Sequence, residues 1–109
     1  MTSKYIKDEV NRLVGCELEE ANKKFPMFAS NHEGFAVLLE ESDEARDDLA
    51  EIKINLNCVW DSIKANSTGW IAIDKIEKYA ENLACEALQI AVMARKYRDS
   101  ANTRLTDGL

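Results

Sequence analysis

The chain has 109 residues, of which 46% are hydrophobic and 31% charged, and 20 Asp plus Glu against 14 Lys plus Arg give a net charge of −6. This length fits one domain with a modest core, and the hydrophobic fraction excludes a disordered chain. Four Gly and one Pro are too few for a turn-rich β-sandwich. The acidic balance argues against a nucleic-acid backbone or an anionic membrane as direct partner, leaving metal ions, basic protein surfaces and metal-bridged anions.

The first predicted helix runs from about Thr2 to Lys24. Ile6, Val10, Leu13, Val14, Leu18 and Ala21 recur at three- and four-residue steps and share one face. Thr2 or Ser3 can cap its start, and Phe25-Pro26 ends it, because proline pushes the preceding residue out of the helical region. The linker Met27-Phe28-Ala29 is apolar for a loop and is expected to pack down on the bundle.

Ser30-Asn31-His32-Glu33 reads as a capping box opening a second helix from about Asn31 to Lys64. Its expected inner face is Phe35, Leu38, Leu39, Ala45, Leu49, Ile52, Leu56, Val59, Trp60 and Ile63. No proline interrupts it, and a bend near Asn55-Asn57 would suit its length of about 50 Å. Ala65-Asn66-Ser67-Thr68-Gly69 is the clearest loop.

The third helix starts between Trp70 and Asp74 and continues to about Arg98. Its stripe is Ile73, Ile76, Ala80, Leu83, Ala87, Ile90, Ala91 and Ala94. From Asp99 the composition turns polar, so residues 99–109 are expected to form a frayed tail on a single helical domain, 1–98. The expected fold is therefore all-α: an antiparallel bundle of three long helices, completed by homo-oligomerisation, most simply as a dimer.

Cys16, Cys58 and Cys85 are widely spaced, form no CxxC pair and are expected to be free, small buried hydrophobes. Trp60, Trp70, Phe35 and Tyr79 are expected in the core or the hairpin packing, and His32 at the surface. No run approaches about 18 apolar residues. Met1 to Arg12 lacks the apolar core of a signal peptide, so a cytoplasmic protein is expected.

Two features carry chemistry. Glu40-Glu41-Ser42-Asp43-Glu44 places three glutamates within one helical turn, where like charges repel unless a divalent cation is shared. The other reading is a solvated acidic face. Glu86 is the one charge between Asn82 and Ala94, and burying a carboxylate there is costly unless it is paired or metal-bound. An outward-pointing Glu86, or a structural ion pair, reads the same residues without a metal. No Gly-rich phosphate loop and no activated nucleophile are present.

The stretch from His32 through Glu40, Glu41 and Glu44 to Ala45 resembles the first metal-binding helix of the all-α nucleoside triphosphate pyrophosphohydrolases. These include MazG-like proteins and dimeric dUTPases. Glu40, Glu41 and Glu44 match the family's E-E-x-x-E motif, and Glu86-Ala87-Leu88-Gln89 falls where its E-x-x-D motif is expected. The resemblance covers about residues 30 to 98 and looks most like small proteins carried by phages and prophages.

It implies Mg²⁺, or Mn²⁺, held by Glu40, Glu41, Glu44, Glu86 and Gln89, with Glu41 and Glu44 as the catalytic carboxylates. It also implies a nucleotide substrate cleaved between its α- and β-phosphates, with Arg95 and Lys96 on the phosphates. The chain departs from the pattern in two ways: Gln89 stands where the family has Asp, and the interval from Glu44 to Glu86 is longer than usual. A non-enzymatic reading stays open beside it, in which an acidic helical phage protein binds a host protein, for example the basic groove of a nucleic-acid-handling enzyme.

Overall fold

The computed structural model describes residues 2–107, which form three α-helices and no strand. α1 is Lys4–Lys24, α2 is Asn31–Lys64 and α3 is Trp70–Asp107. The all-α prediction therefore holds, and the first two helices end where the sequence placed their ends. No helix among the described residues is long and apolar enough to cross a membrane.

Each boundary has a local cause. The Ser3 hydroxyl accepts a hydrogen bond from the Ile6 N–H at 3.2 Å, capping α1. Phe25 leaves that helix in an extended conformation (φ −133°, ψ 144°) ahead of Pro26. Ser30 caps α2 by accepting from the Glu33 N–H at 3.1 Å. The Glu33 carboxylate accepts from the Ala29 N–H at 3.2 Å, one residue before the cap, so the box closes on the linker.

α2 ends in a Schellman motif. Asn66 adopts φ +60°, its N–H bonds the Ile63 carbonyl at 3.0 Å, and the Ser67 N–H bonds the Ser62 carbonyl at 2.8 Å. Gly69 (φ +76°) then turns the chain into α3. A β-carbon at Gly69 would lie 3.1 Å from the Ser62 side chain, so both its conformation and its space favour glycine.

The chain divides into two compact units, residues 1–41 with 88–109, and residues 42–87. The first unit comprises α1, the linker, the start of α2 and the end of α3. Val14, Phe28, Val92, Lys96 and Ser100 are buried in it. The apolar linker packs down as expected, with Phe28 only 7% exposed.

Residues 99–107, expected as part of a frayed tail, are helical. α3 continues to Asp107 because the buried Ser100 hydroxyl accepts from the Phe28 N–H at 2.9 Å. The Arg104 guanidinium donates to the Phe28 carbonyl at 2.5 Å and to Asn31 Oδ1 at 2.7 Å. The last two residues of the expected tail, Gly108 and Leu109, lie outside the described residues. The buried face of α3 here is Val92, Lys96 and Ser100, at steps of four. The predicted stripe ran through Ala91 and Ala94, which are exposed. Two buried polar residues displaced it.

Residues 42–87 form an antiparallel helical hairpin. Gly69 lies against Ser62 and Val59 at the turn, and Glu44 meets Glu86 at the far end. Among the described residues of this unit only Asn55 and Ala72 are buried. Asn55 Nδ2 donates to the Glu51 carbonyl at 2.9 Å. Leu49, Leu56, Trp60, Ile63 and Ile73, expected in the core, are exposed, as is Trp70. Phe35 and Leu39, in the other unit, are exposed too. Two helices bury only the seam between them, so a wide apolar stripe has nothing opposite it. All three cysteines are free, as predicted, but exposed, not buried.

Candidate functional site

The predicted site residues fall into distinct sets. Glu44 on α2 and Glu86 on α3 are brought side by side by the antiparallel hairpin. Glu41 stands three residues before Glu44 on the same unbroken helix, which fixes its side chain on the same face. A carboxylate oxygen of Glu44 and one of Glu86 lie within 4.8 Å of each other. Glu41 and Glu86 are half-buried and Glu44 is exposed.

Oxygens on opposite sides of one ion are about 4.2 Å apart for Mg²⁺ and about 4.6–5.2 Å for Ca²⁺. The separation of Glu44 and Glu86 leaves room for one hard divalent cation to be shared, and all-oxygen anionic donors are the chemistry such an ion selects. Glu40 is exposed and lies outside this group. A residue one position from Glu41 is turned by about 100° around the helix, so adjacent glutamates of the E-E pair point in different directions.

Gln89 lies one turn beyond Glu86 and lines a cleft in the first unit, together with Glu41 and Lys96. Arg95, expected on phosphate, donates to Asn11 Oδ1 on α1 at 3.3 Å. Lys96 is 2% exposed, with its Nζ 5.1 Å from the centre of the Phe28 ring and 5.8 Å from that of Phe25. His32 is exposed at the start of α2.

Sequence reasoning singled out Glu44 and Glu86, which the hairpin brings together, but missed the aromatic walls around Lys96. The apolar linker was the available signal: a Phe in a loop next to Phe-Pro has to cover something. No family model matches the chain, and neither does any curated protein or solved structure compared with it.

Proposed function

We propose that the protein is a divalent-metal-dependent nucleoside triphosphate pyrophosphohydrolase, with Glu41, Glu44 and Glu86 holding Mg²⁺ or Mn²⁺. The observation that supports this reading is the meeting of Glu44 and Glu86, 42 positions apart in the chain, with Glu41 one helical turn away. Carboxylates from two helices offer the hard oxygen donors that a divalent cation selects. The metal would supply Lewis acidity at a phosphoryl oxygen. The glutamates would hold it, and the exposed one, Glu44, is the carboxylate best placed to take a proton from an attacking water. Gln89 offers an amide oxygen where the resembled family has a carboxylate, which lowers the charge offered to the ion.

The test is pyrophosphate release from a panel of dNTPs with Mg²⁺ or Mn²⁺, run beside thermal melting. Metal that binds only the folded chain raises the melting temperature by mass action. Wild type should show both effects, and Glu86→Gln should lose both. Metal-dependent stabilisation without turnover would place the deficit at Gln89, and Gln89→Asp should then tighten the metal. Neither effect in wild type would overturn the reading. The interaction-protein reading would then lead, since the exposed apolar residues of the hairpin are what a protein-binding surface needs.

A further inference from the structure

Lys96 is an unusual residue to bury. Burial of an ammonium is costly unless a counter-charge or hydrogen-bond acceptors replace its water. Among the described residues no ion pair includes Lys96. Its nitrogen instead stands over the faces of Phe25 and Phe28, which attract a cation but cannot neutralise it.

All three side chains line one cleft of about 420 Å³ within the first unit, walled further by Pro26, Val37 and Met93. That volume is in the range of small-molecule pockets, which combine apolar walls with a few placed polar groups. Two carboxylates share the lining. Glu33 is engaged by the Ala29 N–H at the N-terminal end of α2, where the helix dipole offsets its charge. Glu41 belongs to the proposed metal site. Lys96 is the one cation of the lining, and it lies at the aromatic wall.

We propose that this cleft binds a small amphipathic anion. A flat apolar group would lie against Phe25, Phe28, Val37 and Met93, and its anionic oxygens would pair with the Lys96 ammonium. Water exclusion by the rings strengthens that pair relative to the same pair in solvent. Gln89 can donate its amide N–H to the same oxygens. A carboxylate and a phosphate monoester both offer this chemistry. The site does not depend on the metal reading, because its anion anchor is a side chain.

Titration calorimetry in EDTA separates the terms, using indole-3-acetate, phenyl phosphate and the uncharged indole-3-acetamide. At least one of the two anions should bind, and the tighter of them identifies the anionic group the site takes. The amide should bind about tenfold more weakly than indole-3-acetate, or worse, if the carboxylate is that group. Lys96→Met keeps the unbranched stem and should weaken the better anion by about tenfold or more, while Lys96→Arg retains most of the binding. Val37→Phe fills the cleft, leaves Lys96 in place and should also abolish binding, so the result does not hang on one variant folding. Glu86→Gln lies outside the cleft and should leave anion binding intact while removing the metal-dependent rise in melting. Each reading can therefore fail alone. Binding by neither anion, or equal binding by wild type and a folded Lys96→Met, would overturn the proposal.

Discussion

Gly34 shows how much a single position can fix. A β-carbon there would lie 2.5 Å from a carbon of the Tyr97 ring, a group too stiff to give way. On helix propensity alone Gly34→Ala should stabilise by about 1 kcal/mol. The overlap reverses the sign, and we expect a net loss of about 1–3 kcal/mol, seen as a lower melting temperature. Tyr97→Ala removes the Cγ and ring atoms that the new β-carbon meets, so the two substitutions together should cost less than the sum of their separate losses. Glu9 is a second residue-scale test. The hydrogen bond from the Arg12 guanidinium holds the Glu9 carboxyl below its usual 4.5; desolvation opposes it, and the Arg12 charge adds a smaller lowering. A depressed folded value means that the stabilisation is present above the unfolded value and lost as pH falls through the folded one. Arg12→Gln should return the Glu9 titration to the ordinary range, as followed by carboxyl NMR. At this scale the sequence was informative where chemistry is written in one residue. Glu86 stood out as the lone charge in an apolar run and does meet Glu44 across the hairpin. Lys96 was expected on a phosphate through the resemblance alone, and nothing in its neighbours along the chain announced two phenylalanine faces.

At the scale of elements, capping residues made the starts and stops legible: Ser3, Pro26, Ser30 and the Asn66–Gly69 turn are all local signals. The end of α3 was not legible, since what holds it is remote. Phe28 is 72 residues from Ser100 and 76 from Arg104, so a reading window of one helix sees only a polar stretch. Ser100→Ala should leave the buried Phe28 N–H without its acceptor and cost about 1–3 kcal/mol. Amide exchange should speed up in two places at once, in the linker and in α3 beyond Asp99. Exchange that accelerates in only one of them would show that the strap is not shared.

At the scale of the whole molecule, exposed apolar surface is the informative quantity: Trp60, Trp70, Ile71 and Ile54 of the hairpin are each more than half exposed. We expect two copies to pair their hairpins into a four-helix arrangement, with sedimentation equilibrium giving a dimer at micromolar concentration. Ile71→Glu together with Trp60→Glu should return it to monomer and lower its melting temperature. The apolar periodicity of the sequence carried this information, but periodicity says only that a face wants cover. It does not say whether the cover comes from the same chain.

Both tryptophans, Trp60 and Trp70, belong to the unit spanning residues 42–87, while the other unit has tyrosines, Tyr5 and Tyr97, and no tryptophan. The protein therefore carries a built-in spectroscopic label for one of its parts. Red-edge excitation sees the hairpin alone, and far-ultraviolet dichroism sees every helix. Superimposable melting curves from the two signals would mean that the units unfold as one cooperative body; separated curves would mean that each has its own transition. Because both indoles are solvent-exposed in the single chain, a blue shift of their emission on raising protein concentration would report association directly, without any dye or tag.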